Sequence, residues 1–279
     1  MTQQDLVVPH LVEMARQIRL DALRMTRDAK SSHVGSIFSV AEILAVLYGS
    51  VLRVRPNQPD WLQRDRFVMS KGHAAAGLYA ALAYAGFFRR ERLAEFCVDG
   101  GSLAGHVTHN GVPGVEVSTG SLGHGLALAT GMAIGIHRAG LEGRVFCVLS
   151  DGECDEGSTW EAALLAGNKE LEHLTVVVDY NKIQSLGRVD EVMPLEPFSD
   201  KWRSFGWETR EVDGHDITEL LGALDPITWP SESRRPRCLL AHTVKGKGVS
   251  FMEDDLLWHY RSPQGDEYAA ALSELKGDQ

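Results

Sequence analysis

Two short polar stretches carry the first chemistry in this chain. Ser150-Asp151-Gly152-Glu153 follows the apolar run Arg144 to Leu149 (RVFCVL), and Tyr180-Asn181-Lys182-Ile183 follows Leu174 to Asp179 (LTVVVD). Continuous β-branched runs of this kind mark strands buried on both faces of a parallel sheet, so the two polar groups fall at one sheet edge. An Asp carboxylate, an Asn amide oxygen and a nearby main-chain carbonyl such as that of Ile183 form an all-oxygen set. Mg²⁺ takes such donors together with phosphate oxygens and water. Gly152 lets the backbone approach a phosphate closely and offers its N–H. The plainer alternative is that Asp-Gly and Tyr-Asn-Lys are turns, which these residue types dominate for steric reasons.

Histidine is the second feature, with eleven in the chain. Four stand in distinctive surroundings: His33 in SSHVG, His73 in SKGHAAAGLYAAL, His106 in AGHVTHNGVPGVEVSTGSLGHG, and His259 in KGKGVSFMEDDLLWHY. His109, His124, His137, His173, His215 and His242 lack such contexts and read as structural. Lys245 and Lys247 lie beside glycines in VKGKG, where a phosphate contact and a solvated turn are both open. Cys154 sits close to the proposed metal position, with no catalytic role assigned by the sequence.

The elements that must position these groups are legible in outline. Leu11, Met14, Ala15, Ile18, Ala22 and Met25 recur at helical spacing, giving an amphipathic helix that ends near Lys30. A second helix is expected from Val40 to Leu52, with Ser39 and Glu42 as a capping box. Arg53 to Pro59 reads as a loop. Arg66 to Ser70 is a short buried strand feeding a helix over Ala74 to Ala85. Arg89 to Gly120 is mainly loop with a short helix near Leu93, and its apolar and histidine content favours function over disorder. Gly123 to Arg138 is a Gly-rich helix suited to close backbone approach. Ser158 to Gly167 is a helix joining the two long strands into a βαβ crossover, whose ligands sit at the strands' carboxyl ends. Glu208 to Val212 and Cys238 to Thr243 add strands, and Glu267 to Lys276 is a helical tail.

These patterns give an α/β fold with a mostly parallel central sheet and helices on both faces. No internal repeat or linker appears, so residues 1–279 read as one domain with 1–10 and 263–279 as peripheral tails. The charge count, 28 Lys and Arg against 38 Asp and Glu, is spread along the chain and argues against a nucleic-acid surface. Four scattered cysteines, no signal-like N-terminus and no apolar run of about 18 residues predict a cytoplasmic protein without a membrane span.

Over residues 11 to 262 the motifs resemble the transketolase family of thiamine diphosphate enzymes, in order and in spacing. The stretch Val145 to Gly187 is similar at nearly every position, although Ser150 stands where the family usually has a glycine and His124 where it often has glutamine. The resemblance implies a thiamine diphosphate-binding fold and Mg²⁺, or Ca²⁺ or Mn²⁺ in its place, held by Asp151, Asn181 and Ile183. It implies that His73, His259 and Gly152 contact the diphosphate. Gly120 and Leu122 meet the cofactor's rings, with a simple packing role equally open for Leu122. Glu156 matches a carboxylate near the family's subunit interface. His33, His106 and His259 would face the donor sugar, where imidazoles can move protons on and off alkoxides as a carbon–carbon bond is made or broken.

In the family, the glutamate that activates the cofactor comes from a second α/β domain, and no second strand-helix series follows Tyr260 here. The resemblance thus implies the diphosphate half of a split transketolase, completed by a separately encoded pyrimidine-binding subunit, most simply as α₂β₂. The implied reaction moves a two-carbon ketol unit from a sugar or sugar phosphate to an aldose. A specialised carboligase of sugar catabolism or secondary metabolism and a non-catalytic partner subunit are the alternatives.

Overall fold

The computed structural model describes residues 3–229 and 233–277. Its strands are β1 Arg66–Met69, β2 Val145–Ser150, β3 Leu174–Tyr180, β4 Ile183–Gln184, β5 Gly187–Arg188, β6 Glu208–Asp213 and β7 Arg237–His242. Five of them form one sheet in the order β1-β2-β3-β7-β6, every neighbouring pair parallel, while β4 and β5 make a small antiparallel hairpin. The helices are α1 Gln3–Ala29, α2 Val34–Ser39, α3 Ala41–Val46, α4 Ala75–Tyr84, α5 Gly125–Arg138, α6 Gly157–Asn168, α7 Val189–Val192, α8 Phe198–Ser204, α9 Ile217–Leu224, α10 Leu257–Tyr260 and α11 Gly265–Lys276.

Side chains alternate along each strand and feed two separate cores. Val177 and Leu239 join Leu11, Ile18, Phe38 and Leu44 on the α1 to α4 side, whereas Val176, Val178 and Leu240 join Leu126, Ala163 and Trp202 on the α5, α6 and α8 side. Burying one Val or Leu contributes about 1.5–3 kcal/mol. Strands buried on both faces therefore hold the scaffold more firmly than any single polar contact, which leaves the polar carboxyl ends free for chemistry. Among the described residues no helix is long and apolar enough to cross a membrane.

Several expectations are corrected. The first helix begins at Gln3, eight residues before Leu11. The helix expected over Val40 to Leu52 is instead α3 followed by a π-helical turn, Leu47–Val51, and α2 precedes it. No capping box forms. The Ser39 hydroxyl donates to Asp179 Oδ2 at 2.6 Å, and Glu42 is taken by the Arg19 guanidinium at 2.6 Å. In α5 only the first glycine is closely packed: a Cβ on Gly125 would lie 2.7 Å from Ser70 Cα, while Gly131 and Gly135 meet nothing within 4 Å. The C-terminal α11 packs on α1 and buries Ala271 and Leu275.

The Arg19–Glu42 pair yields a pH prediction. Burial pushes the Glu42 carboxyl up, but Arg19 and His215 outweigh it and hold the group at about 2. A folded value below the unfolded one stabilises the fold above the unfolded value and is lost as pH falls through the folded one. The contribution is roughly 3 kcal/mol. Wild type should thus exceed Glu42→Gln in urea midpoint at pH 7, with the gap closing between about pH 5 and pH 2. A gap that is constant with pH would contradict this.

Candidate functional site

The carboxyl ends of β1, β2, β3 and β7 converge with the loops before α2 and α5 and with α10 around one cavity of about 190 Å³. Asp151, Gly152, Asn181 and Ile183 line it from the ends of β2 and β3; His33, His73, His106 and His259 line it from four separate segments. The imidazole rings form a cluster, with His33 centred 5.2 Å from His73, 5.8 Å from His106 and 5.0 Å from His259. Backbone geometry ties two of them together. His33 has a left-handed φ of 77°, and its N–H donates to the His259 carbonyl at 2.9 Å. A non-glycine residue in that region stores strain that surrounding contacts must hold, and such residues concentrate at functional sites.

The oxygen donors are preset by local hydrogen bonds. Asp151 Oδ1 accepts from the Gly152 N–H at 2.7 Å and Oδ2 from the Lys182 N–H at 2.6 Å, so both carboxylate oxygens are oriented by main chain. Asn181 Oδ1 accepts from the Ile183 N–H at 3.2 Å, while its amide nitrogen donates to Asp179 Oδ2 at 3.3 Å. That pairing fixes which end of the amide is oxygen. Burial, together with the charge of Asp179, raises the Asp151 carboxyl to about 6. A carboxylate so placed gains by having a cation beside it. Carboxylate, amide and carbonyl oxygens suit a hard cation such as Mg²⁺ and lack the thiolate or imidazole ligands that zinc prefers.

The cationic and imidazole groups share this buried setting. Burial, with the charges of His106, Lys245 and Lys71, lowers His33 to about 4; burial and Lys245 lower His259 to about 3; burial and Lys71 hold His73 well below the ordinary histidine range. All three are neutral at pH 7, and each offers one donor and one acceptor. Lys245 is itself lowered to about 8 by burial. Its ammonium donates to the Ile183 carbonyl at 2.8 Å and contacts His259 Nδ1 at 2.9 Å, which leaves the His259 proton on Nε2.

Ten of the eleven residues singled out from the sequence line the cavity: His33, His73, His106, Gly120, Leu122, Asp151, Gly152, Asn181, Ile183 and His259. Glu156 does not. It is exposed at the start of α6, and its side chain lies against Gly123, where a Cβ would come within 2.7 Å of Glu156 Cβ. Lys245 corrects the solvated-turn alternative, being 1% exposed, whereas Lys247 keeps it and pairs loosely with Glu253 at 3.6 Å. Cys154 is buried and burial holds its thiol well above the usual range, so it is no reactive thiolate.

Sequence reasoning missed a second layer. Lys71, fully buried, pairs with Asp179 Oδ2 and donates to the Ser36 carbonyl at 2.9 Å; the Thr243 hydroxyl also donates to Asp179. Glu153 takes the Ser70 hydroxyl and the Gly123 N–H, the latter at 2.9 Å, joining the end of β1 to the loop before α5. The available signal was position: Glu153 closes the first polar stretch and Asp179 immediately precedes the second.

Residues 10–275 match the family model described as the transketolase, thiamine diphosphate binding domain. The chain belongs to the transketolase family. It is 38% identical, over 99% of its own length and 98% of the other, to the 6-deoxy-6-sulfo-D-fructose transketolase subunit SqwG of a Clostridium species. It is 36% identical, end to end in both chains, to an apulose-4-phosphate transketolase subunit of Actinobacillus succinogenes. Such full-length matches make it a transketolase subunit of the split kind. Among solved structures, transketolase from Campylobacter jejuni superposes with a TM-score of 0.88 at 31% identity, covering 96% of this chain and 42% of that one. The chain thus spans about two fifths of the length of the solved transketolase it resembles.

Proposed function

We propose that the cavity binds the diphosphate of thiamine diphosphate through Mg²⁺ held by Asp151, Asn181 and the Ile183 carbonyl, and that this subunit catalyses ketol transfer with a second, pyrimidine-binding subunit. The observation that carries the reading is the meeting of an all-oxygen donor set with four clustered histidines in one cavity. Gly152, His73 and His259 are assigned to the phosphate oxygens, and Lys245 supplies a cation beside them. Gly120 and Leu122 are assigned to the ring end.

When bound, thiamine diphosphate supplies the electron sink that a two-carbon carbanion requires. The chain's own part is binding, orientation and proton handling. Neutral His33 and His259 can each donate to a sugar carbonyl or accept from a hydroxyl, and their clustering with His106 lets a proton pass between oxygens as the carbon–carbon bond breaks and re-forms. An anion in the cavity offsets Lys71 and Lys245 and moves the imidazoles back towards the neutral range.

The partner assignment, most simply α₂β₂, is supported by the relatives' naming as subunits. The exposed Glu156 is assigned to the face that meets the partner. A specialised ketose or ketose phosphate as donor is favoured by those same relatives, whose names specify 6-deoxy-6-sulfo-D-fructose and apulose 4-phosphate. The free thiols, three of them buried, fit a cytoplasmic location.

Calorimetry of the chain, reconstituted with a candidate pyrimidine-binding subunit, tests the site. Saturable, Mg²⁺-dependent binding of thiamine diphosphate is expected, abolished by EDTA. Absence of binding would favour a non-catalytic partner role.

A further inference from the structure

We infer that His215 is a positioning residue for the cofactor site, clamping the backbone at Val244 and thereby aiming Lys245 into the cavity. The inference rests on the reading above that Lys245 faces the bound diphosphate.

His215 lies between β6 and α9, on none of the segments that line the cavity. Its Nε2 takes the Val244 N–H at 2.8 Å, and its Nδ1 meets Glu42 Oε2 at 3.0 Å. A backbone N–H can only donate, so Nε2 carries the lone pair and Nδ1 carries the proton that goes to Glu42. Glu42 is in turn held by both arms of Arg19 at 2.6 Å, and Arg19 also donates to the Phe38 carbonyl at 2.8 Å. The chain Arg19–Glu42–His215–Val244 therefore crosses from α1 through α3 to the loop after β7, with Arg19 and Glu42 both buried. Such a buried ionic chain is weak as a source of stability against an apolar replacement. It does fix one tautomer and one direction.

What it fixes is the residue before Lys245. The Lys245 segment has further main-chain ties: Gly246 N–H to the Gly35 carbonyl at 3.0 Å, Lys247 N–H to the Val244 carbonyl at 3.2 Å, Asp254 N–H to the Lys245 carbonyl at 2.9 Å, and Thr243 N–H to the Tyr180 carbonyl at 3.2 Å. His215 is the side chain that takes the Val244 N–H. The Lys245 stem passes Gly35, where a Cβ would lie 3.1 Å from Lys245 Cγ, so a small shift of Val244 moves the stem against a wall. The ammonium's contacts with Ile183 and His259, at 2.8 and 2.9 Å, depend on that path.

The test is a double-mutant cycle on the reconstituted complex, reading the Kd for thiamine diphosphate at saturating Mg²⁺, well below every variant's Tm. His215→Asn keeps a donor towards Glu42 but loses the acceptor for Val244, whereas His215→Gln keeps an acceptor near the Nε2 position. His215→Asn is expected to raise Kd about tenfold, the usual effect of losing a supporting partner, with kcat at saturating cofactor within about twofold. His215→Gln should restore most of that affinity. Lys245→Met should raise Kd roughly 100-fold, as loss of a charged hydrogen bond does. The pair His215→Asn with Lys245→Met should bind no worse than Lys245→Met alone, because His215 acts through Lys245. Additive losses in the double variant, or an unchanged Kd in His215→Asn beside a weakened Lys245→Met, would overturn the positioning role alone. An unchanged Kd in Lys245→Met would instead overturn the assignment of Lys245 to the diphosphate, and the inference with it.

Discussion

Replacing Asp151 with alanine is expected to weaken Mg²⁺-dependent binding of thiamine diphosphate by roughly 100- to 1,000-fold, the scale of losing one partner from a buried charge pair. The carboxylate is 1% exposed and both its oxygens are aimed by the Gly152 and Lys182 N–H groups, so no neighbour can take over its place. Asn181 and the Ile183 carbonyl remain in the variant, but neither brings a formal charge. The same substitution should leave the Tm of the cofactor-free chain unchanged or raise it. Burial and the nearby Asp179 disfavour the ionised Asp151 carboxyl, raising it to about 6, so removing it relieves an unpaired buried charge. Binding calorimetry and thermal unfolding on one preparation read both effects. Cofactor affinity within threefold of wild type would sink the metal assignment, and a Tm loss of the size expected for a core residue would show that Asp151 is mainly structural.

The second large effect is expected at Asp179, and it points the other way, towards stability. This carboxylate is fully buried beneath the cavity, pairs with Lys71, and accepts from the hydroxyls of Ser39 and Thr243 and the amide of Asn181. Burial pushes its carboxyl up, but Lys71 and these donors outweigh that and hold it low. Asp179→Ala leaves the Lys71 ammonium uncompensated at 0% exposure, a change that costs about 3–5 kcal/mol. For a domain of this size the drop in Tm is roughly 6–20 °C. Adding Lys71→Met to Asp179→Ala should recover much of the loss, since removing both charges is far less costly than removing one. A single variant with unchanged Tm, or a double variant less stable than the single, would contradict the pairing.

Much of the scaffold was legible because its signals are local. VFCVL and LTVVVD are apolar at nearly every position, and only a strand buried on both faces needs that. Their polar successors, Asp151 and Asn181, had to fall at the same sheet edge once the strands ran parallel with a helix between them. The four distinctive contexts singled out His33, His73, His106 and His259, and the cavity collects them from four separate segments. The failures share one physical cause. Ser39 and Glu42 have the spacing of a capping box, yet each side chain has a stronger partner far along the chain: Asp179, 140 residues away, and Arg19 with His215. Lys245 adjoins Gly246 in a glycine-rich stretch and looks like a solvated turn, while its burial is decided by Ile183 and His259. Glu156 shows the converse. Its exposure follows from its place at the start of α6, and any role at the cofactor needs a surface that this chain alone does not provide.

The central claim is that this subunit holds the diphosphate end of the cofactor and completes an active site only with a pyrimidine-binding partner. A ketol-transfer assay with thiamine diphosphate and Mg²⁺ tests it most directly, run on the purified chain, on a candidate pyrimidine-binding subunit, and on the equimolar mixture. The account predicts turnover in the mixture alone, with saturation as either component is titrated into the other. Comparable turnover by the chain without its partner would contradict it.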